Sequence, residues 1–363
     1  MANARVPRAR PAKTPRDRLI AASRRGGVTL VLGAGVSLSR GLPNWEELAK
    51  KLWMAAFGKR PSPWQTDDEA HSPRHVPQFL PIVFELAARK LGEPKFIEAL
   101  QQHLYTGARF PSDDGKFKES DETLAVLARL LVQEYQRGGR RRVDAVITFN
   151  VDDLVEQAVG RVSGVRSPRY DKEMVRVVAR PTHSFLGGPA RRPIPVYHVH
   201  GFVPSNHIAR HGRHFDHMLV FTDTQYWATA GSTASFANRI LSTALGEGRC
   251  VFIGLSMTDI NILRWLALRA IERDRDGQQT GKGEEAELQT RFLDLGFQRH
   301  YWVRPASNDP TGFVSEFLDL RGVTGVDIKN WDGGDFRGLM EACFPPDKEG
   351  REPGALPTVR RAR

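Results

Sequence analysis

Four short polar segments follow β-rich runs, at positions where the edge of a parallel sheet would bring them together. They are Gly33-Ala34-Gly35-Val36-Ser37, Thr148-Phe149-Asn150-Val151-Asp152-Asp153, His198-Val199-His200-Gly201 and Gly254-Leu255-Ser256-Met257-Thr258-Asp259. They supply glycines, small hydroxyls, an amide, carboxylates and imidazole. Ligands of open parallel sheets bind outside the carboxyl ends of the strands. The set therefore predicts a site that holds a dinucleotide and carries out a proton transfer.

Each segment by itself has an ordinary structural explanation. Gly33-x-Gly35 lacks the third glycine of the dinucleotide fingerprint, since Leu38 stands there, and this disfavours an ordinary dehydrogenase. The absence of a Gly-x-x-x-x-Gly-Lys-Ser/Thr loop disfavours an ATPase. Asn150 alone is typical of a helix cap, and His200 alone is typical of a buried structural histidine. Only the combination is specific.

The elements that must position these segments alternate along the chain. Apolar runs predict strands from Val28 onward and over residues 143–149, 194–199, 218–222, 250–254, 300–303 and 326–328. Helical spacing follows them over residues 152–162, 224–245, 259–273, 312–320 and 336–344. Residues 274–285 are polar and predict an exposed loop. This alternation indicates an α/β fold with a doubly wound, mostly parallel, Rossmann-like sheet.

A long helical stretch interrupts the alternation after the first strand. Apolar spacing predicts helices over residues 45–57, 79–91, 94–104 and 122–136, with no strand signal between 45 and 138. Asn44 with Glu47 is a capping box for the first helix, and Asp121 is the expected N-cap of the last. We therefore predict one domain over residues 28–344 with a helical insertion over about 58–142.

The net charge of +11 is concentrated at the chain ends. Nine of the basic residues lie there, namely Arg5, Arg8, Arg10, Lys13, Arg16, Arg18, Arg360, Arg361 and Arg363. Residues 1–27 are predicted to be a disordered basic tail, and residues 345–363 a flexible basic tail. The favoured interpretation is that these ends keep the protein soluble; the alternative is weak contact with nucleic acid or an acidic partner.

Composition also restricts the compartment. No apolar run approaches the roughly 20 residues of a membrane span, and the N-terminus lacks the apolar core of a signal peptide. The two cysteines, Cys250 and Cys343, suit a reducing compartment and exclude a four-cysteine zinc module. We therefore expect a cytoplasmic protein without membrane contact.

Taken in order, the motifs resemble the sirtuin superfamily. Gly33-Ala34-Gly35-Val36-Ser37 with Gly41-Leu42-Pro43-Asn44-Trp45 is similar to its NAD-binding opening. Thr148-Phe149-Asn150-Val151-Asp152 is similar to its Thr-Gln-Asn-x-Asp, His200-Gly201 to its His-Gly, and Gly254-Leu255-Ser256 to its Gly-Thr-Ser. These motifs span about two-thirds of the chain.

The departures from that pattern narrow the resemblance. Sirtuin deacylases carry a four-cysteine zinc ribbon where residues 202–249 have no cysteine, and Phe149 replaces their glutamine. The sequence more closely resembles the sirtuin-like NAD-hydrolysing domains of bacterial anti-phage defence systems. That resemblance implies an NAD⁺ glycohydrolase that releases nicotinamide and ADP-ribose, depletes NAD⁺ in infected cells and works as a homo-oligomer. Stand-alone subunits of this kind are often paired with a HerA-type hexameric ATPase.

The resemblance and the chemistry together suggest a role for each residue. Backbone groups of Gly33, Ala34 and Gly35 would take the pyrophosphate. Asn150 would bind a ribose hydroxyl or position water, and His200 would be the general base. Asp152 would face the nicotinamide amide. Further contacts with NAD⁺ are assigned to Ser37, Pro43, Asn44, Trp45, Gly254 and Ser256, with Ser37 and Ser256 on the adenosine half.

Some observations leave alternatives open. Asp153 and Asp259 are equally well explained as helix caps. His198, His200, His207, His211, His214 and His217 fall within 20 residues. We interpret that cluster as a basic, exposed loop and expect no metal, zinc being the alternative. For the whole protein, the rivals to the hydrolase are a non-catalytic sensor of NAD or ADP-ribose derivatives and an NAD-dependent protein deacylase.

Overall fold

A parallel sheet of seven strands is the centre of the protein. The computed structural model describes residues 14–58, 63–64, 79–164, 174–179, 193–205, 219–257, 259–279 and 300–346. The strands are β1 (Val28–Leu32), β2 (Val143–Thr148), β3 (Val175–Val178), β4 (Ile194–His198), β5 (Arg249–Ile253), β6 (His300–Pro305) and β7 (Val323–Ile328). They lie in the order β3-β4-β2-β1-β5-β6-β7, and every neighbouring pair is parallel.

The central strand β1 is buried along its whole length. Leu30 and Leu32 belong to one hydrophobic core and Val31 to another, because successive side chains of a strand point to opposite faces of the sheet. The chain places β2 on one side of β1 and returns to place β5 on the other. The order of strands therefore reverses at β1, where doubly wound sheets bind their ligands.

Helices cover both faces of the sheet. They are α1 (Pro15–Ser23), α2 (Gly35–Leu38), α3 (Trp45–Phe57), α4 (Phe79–Leu91), α5 (Glu93–Tyr105), α6 (Thr123–Gln136), α7 (Leu154–Ser163), α8 (Asp223–Gly231), α9 (Phe236–Glu247), α10 (Ile260–Gln279), α11 (Phe313–Asp319) and α12 (Gly334–Cys343). Short 3₁₀ turns lie at Pro111–Asp113, Phe117–Glu119, Gly138–Arg140 and Ala306–Asn308. Buried residues of α1, α3 to α7 and α12 share one core, and those of α9, α10 and α11 share the other.

The predicted α/β architecture is confirmed. The helices expected over residues 45–57, 79–91, 94–104 and 122–136 are all present, and the described residues between 45 and 138 contain no strand. The capping box is also present: Asn44 Oδ1 accepts from the Glu47 N–H at 2.9 Å, and Glu47 Oε2 accepts from the Asn44 N–H at 3.1 Å. This cap fixes the point at which the chain enters α3.

The N-terminal prediction was wrong in part. Residues 15–23 were predicted to be part of a disordered tail, but they form α1. Thr14 and Asp17 form a second capping box at the start of this helix. Leu19 is fully buried, and Arg16 pairs with Asp335 at 2.9 Å. The burial of Leu19 and the hydrogen-bonded N-cap stabilise this helix, although the basic, proline-containing composition of the segment is typical of disorder. Residues 1–13 and 347–363 lie outside the described residues.

Four further expectations need correction. The described residues 219–222 do not form a strand. They are buried, and the Val220 N–H donates to the carbonyl of His200, just beyond the end of β4. The helix predicted over 224–245 is two helices, because Ser235 caps α9. Helix α10 continues to Gln279 through the start of the predicted loop. Glu122, not Asp121, is the N-cap of α6, and Asp121 accepts from Arg337 at 3.0 Å.

Cys250 and Cys343 are buried free thiols. Across the described ranges, no helix has both the length and the apolar character required to cross a bilayer.

Candidate functional site

A hydrogen-bonded chain of side chains joins the ends of β1 and β2. Asn150 Nδ2 donates to the Gly33 carbonyl at 3.0 Å and to Ser37 Oγ at 3.2 Å. Ser37 Oγ in turn donates to Asp152, with its two oxygens at 3.1 and 3.3 Å. All three polar side chains are buried. The prediction that the ends of β1 and β2 converge is confirmed. Ser37, which was assigned to the adenosine half of NAD⁺, lies beside Asn150 and Asp152, which were assigned to the nicotinamide and its ribose.

The Gly33 carbonyl determines which way the Asn150 amide points. A carbonyl oxygen only accepts, so the atom facing it is the NH₂ group of Asn150. Oδ1 is therefore the atom that remains to accept a hydrogen bond, and no described residue donates to it. Asn150 lines the cleft described below. Its amide oxygen is suited to hold a ribose hydroxyl or a water molecule by its proton.

Asp152 is a buried carboxyl group with a strongly perturbed acidity. Burial raises its pKa to about 6, and neighbouring Asp153 and Glu156 act in the same direction. Hydrogen bonds from the Leu154 N–H, at 3.0 Å, and from Ser37 oppose the rise. Perturbed acids in clefts are typical of functional sites. At neutral pH this group is largely ionised and places a negative charge in the cleft.

The cleft next to these residues spans about 370 Å³, a volume that includes space open to solvent. Its lining is apolar and aromatic apart from the Asn150, Ser37 and Asp152 group: Ala34, Leu42, Pro43, Trp45, Leu48, Leu104, Val151 and Phe221. The predicted ligand residues Ala34, Pro43 and Trp45 thus lie at the cleft, while Asn44 is exposed and caps α3.

The glycines at the ends of β1 and β5 serve a different purpose from the predicted one. The N–H groups of Gly33 and Gly35 donate to the carbonyls of Ile253 and Gly254, both at 3.0 Å. Neither is left for a phosphate, so the predicted contact through these two N–H groups does not hold in this conformation. A Cβ on Gly33 would lie 2.6 Å from the Gly254 oxygen, and one on Gly35 would lie 2.8 Å from the Gly254 Cα. These glycines let two turns pack against each other.

In the turn after β5, Gly254 packs against the rest of the site and Ser256 does not line the cleft. Gly254 packs on the Gly35 backbone with a positive φ of 68°, which an L side chain rarely adopts. Ser256 is exposed and does not line the cleft. Its assignment to the adenosine half stays a prediction. Met257, two residues beyond the Gly254 turn, is buried with φ of 57°.

His200 lies behind the cleft in an aromatic enclosure. Its ring centroid is 4.8 Å from that of Phe149, 5.4 Å from Tyr226 and 6.1 Å from Trp45, all edge-on. Both ring nitrogens are buried and have no hydrogen-bond partner among the described residues. Burial lowers the pKa of His200, which keeps the ring neutral at pH 7. A neutral imidazole is the form that a general base requires.

Asp259 is the charged group that faces His200. Its Oδ2 lies 3.7 Å from His200 Nε2 and 3.4 Å from Tyr226 Oη. Its Oδ1 accepts from the backbone N–H of Asn261 at 2.9 Å and so caps α10. The predicted helix cap of Asp259 is therefore present through Oδ1, while Oδ2 faces His200. Tyr226 was not predicted, because nothing in its sequence neighbourhood distinguishes it from a core aromatic.

Asp153 has a structural position beside the site. It precedes α7, but its side chain makes no cap. Its oxygens accept from Tyr105 Oη, Gln157 Nε2 and both Ser205 donors at 2.8–3.0 Å. Asp153 therefore joins α5, α7 and the segment after β4. Asp153 thus occupies the predicted N-cap position without a capping side-chain bond, and its side chain does not line the cleft.

No group of three or more metal-ligating side chains occurs within the described ranges. Of the histidine cluster, His198 and His200 are described, and His207, His211, His214 and His217 lie outside the described residues. The predictions for that loop stay untested.

The carboxyl edge of this Rossmann-like sheet carries an amide, a carboxylate and an imidazole, at the place where doubly wound sheets bind their ligands. Residues 144–308 match the family described as the SIR2-like domain. The match runs from β2 to just beyond β6 and includes Asn150, Asp152 and His200. Over these residues the chain is similar to sirtuin-like domains, and the match fits an NAD-related activity in general. No curated protein is similar enough to this chain to count as a relative.

Proposed function

We propose that this protein is an NAD⁺ glycohydrolase that cleaves NAD⁺ to nicotinamide and ADP-ribose. The observation that carries the proposal is the placement of Asn150, with its amide oxygen available, beside the Asp152 carboxylate in one cleft. That cleft lies at the carboxyl edge of the sheet, in a chain that matches the SIR2-like domain. SIR2-like domains use NAD⁺, and in this proposal the cleft takes its nicotinamide ribose end.

The reaction breaks the bond between the ribose carbon and the nicotinamide nitrogen. The electron pair of that bond goes to the pyridinium ring, which leaves as neutral nicotinamide. A water oxygen bonds to the ribose carbon, and the water proton passes to a base. The transition state has oxocarbenium character, as in other glycosidic cleavages, so negative charge nearby stabilises it.

Three residues meet these requirements. Asp152 supplies negative charge in an apolar cleft, where the electrostatic interaction is less screened than in water. Asn150 Oδ1 accepts a hydrogen bond from a ribose hydroxyl or from the attacking water. His200 accepts the proton, and Asp259 stabilises the resulting imidazolium. Trp45 contacts both the cleft and the His200 ring, so its indole has to shift for the base to reach water.

The cellular part of the proposal rests on the resemblance of the motifs to defence-associated domains. In it, the protein is a cytoplasmic, homo-oligomeric effector that depletes NAD⁺ during phage infection. A HerA-type ATPase is the proposed partner subunit. The basic chain ends keep the protein soluble, and weak contact with nucleic acid is the alternative.

One observation favours a second function, a non-catalytic sensor of NAD or ADP-ribose derivatives. His200 has no hydrogen-bond partner among the described residues and does not line the cleft. A cleft that binds the ligand without access to the base would bind and not turn over. The protein deacylase is the third candidate, and it requires an acylated peptide as co-substrate.

A single assay distinguishes the three functions. Purified protein is incubated with NAD⁺, with and without an acetylated peptide, and nicotinamide and ADP-ribose are resolved by chromatography. The hydrolase releases both products without peptide. A sensor binds NAD⁺ in calorimetry and releases neither. A deacylase releases nicotinamide only when the peptide is present.

A further inference from the structure

A fully buried ion-pairing group lies directly beneath Asn150. His198, the last residue of β4, and Glu156, on α7, have side chains with no exposed surface. His198 Nε2 lies 2.8 Å from Glu156 Oε1, and His198 Nδ1 lies 3.1 Å from the backbone carbonyl oxygen of Asn150. Neither side chain lines the cleft.

The Asn150 carbonyl determines the protonation of the ring. A carbonyl oxygen has no proton to give, so His198 Nδ1 must carry one and donate it. Nε2 then either donates to the Glu156 carboxylate or accepts a proton from the Glu156 carboxyl group. In both forms the two side chains share one proton and carry no net charge together, which is the form in which such a pair is tolerated in a core.

The position of Asn150 explains why its backbone needs this support. Strand β2 ends at Thr148, so Asn150 lies beyond the last ladder bonds of the sheet. Its N–H donates to Thr148 Oγ1 at 3.0 Å, and its carbonyl accepts from His198. Side chains of two neighbouring strands thus replace the missing ladder partners. They fix the peptide from which the Asn150 amide extends into the cleft.

We infer that His198 and Glu156 are positioning residues, which hold the Asn150 backbone so that its amide oxygen meets the substrate in the reactive geometry. This inference rests on the proposed NAD⁺ cleavage. A small displacement of a positioned catalytic group can lower the rate by about a hundredfold. The loss is expected in kcat, because Asn150 acts on the transition state more than on ground-state binding.

Two substitutions of His198 separate positioning from stability. In His198→Asn, Nδ2 takes the place of Nδ1 and keeps the donor to Asn150, but Glu156 loses its partner. In His198→Gln, Nε2 takes the place of the ring Nε2 and keeps the Glu156 contact, but the Asn150 carbonyl loses its donor. An unpaired buried carboxylate is costlier than an unpaired carbonyl. His198→Asn should therefore be the less stable variant and the more active one per folded molecule.

The measurement is kcat and KM for nicotinamide release, together with the Tm of each variant. We expect His198→Gln to have a kcat about tenfold below that of His198→Asn despite its higher Tm, with similar KM values. The matched control is His300→Asn, at the first residue of β6, whose ring Nδ1 accepts from the Cys250 N–H at 3.1 Å. It should lower Tm without lowering kcat. If kcat follows the order of Tm in the His198 variants, the residues are structural and the inference is wrong.

A second measurement does not depend on catalysis. Histidine labelled with nitrogen-15 reports which ring nitrogens carry protons, and the His198 signal is identified by its loss in His198→Asn. We expect a protonated Nδ1 at neutral pH, and a bare Nδ1 would overturn the inference. If the unmodified protein releases no nicotinamide, the proposed function has failed, and this spectrum alone decides on the positioning pair.

Discussion

Asn150 Nδ2 donates a proton to the carbonyl oxygen of Gly33, 3.0 Å away, across the gap between the ends of β2 and β1. This bond orients the amide, because the acceptor admits only the NH₂ group. It also links the first predicted motif to the second, together with the bonds of Ser37 to Asn150 and Asp152. The site is therefore built by two neighbouring parallel strands that are far apart in sequence.

Replacement of the Asn150 amide by a carboxylate should strongly reduce turnover. Asn150→Asp keeps the shape but sets a carboxylate against the Gly33 carbonyl, which repels it. We expect kcat to fall by about a hundredfold, the scale for loss of one preorganised polar group. Asn238→Asp is the control, since Asn238 Nδ2 also donates to backbone carbonyls but far from the cleft, at 2.6 and 2.7 Å. Equal kcat in the two variants would contradict the role of Asn150.

The pH dependence of kcat/KM should report His200. Burial lowers its pKa, and Asp259 opposes the change, so the acid limb is expected below the ordinary value of 6.5. Asp259→Asn removes the opposing charge but still caps α10, because asparagine is as good an N-cap as aspartate. The acid limb should then move to lower pH.

The shift of the acid limb in Asp259→Asn is needed to assign that limb to His200, because Asp152, with a pKa of about 6, titrates in the same range. An acid limb that stays in place or moves to higher pH in Asp259→Asn would exclude His200 as the base. The profile is measured as initial rates of nicotinamide release between pH 4.5 and 9.

Asp152 should cost the protein stability at neutral pH. Its folded pKa of about 6 lies above the unfolded value, so the native state binds more protons between the two values and stability falls as pH rises through them. The cost above pH 6 is about 3 kcal/mol. Asp152→Asn should therefore raise the free energy of unfolding at pH 7 by about 1–3 kcal/mol while it lowers turnover.

Asp335 is the control with the opposite sign. Its pKa is lowered, mainly by the backbone N–H of Lys329 and also by Arg16, so its stabilisation is present at neutral pH and lost as pH falls. Asp335→Asn should lower stability at pH 7. Urea unfolding at pH 7 measures both effects. At pH 5 the gain from Asp152→Asn should shrink, whereas the loss from Asp335→Asn should stay, because the lowered pKa of Asp335 lies below its ordinary value of 3.8. A lower stability of Asp152→Asn at pH 7 would contradict the account.

Arg40 should be a main source of stability for the helical segment. Its side chain is 2% exposed and pairs with Glu122 at 2.7 Å and Asp114 at 3.1 Å, over the Phe117 ring. Arg40→Met leaves these acids without their partner and should cost about 3–5 kcal/mol. Arg89→Met breaks an exposed pair and should cost under about 1 kcal/mol in the same urea titration. Similar losses in both would show that burial of Arg40 does not matter.

The sequence predicted the elements whose signals are local. The Asn44 and Glu47 capping box, the helices before β2 and the central strands all follow from spacing and side-chain chemistry within a few residues. Strand β3 was missed because its four residues include Arg176 and show little alternation. Residues 219–222 have a strand-like composition, but in the described chain they do not join the sheet.

Within the site, the motifs predicted which residues meet but not how. Gly33 and Gly35 are required by the packing of the β5 turn, a contact between segments that no local pattern contains. Tyr226 and Glu156 reach the site from α8 and α7, and only the packing of helices on the sheet determines this. Spacing offered one usable signal, since Glu156 follows Asp152 by one helical turn.

Hydrolysis of NAD⁺ by the purified protein tests the central claim most directly. The measurement is the release of nicotinamide and ADP-ribose without peptide, across a range of protein concentrations that allows self-association, for the unmodified chain and for Asn150→Ala and His200→Ala. We predict equal amounts of both products from the unmodified chain and a loss of about 10²–10⁴-fold in the two variants, with the fold retained. Absence of product from the unmodified chain at every concentration, or parental rates in both variants, would contradict the account.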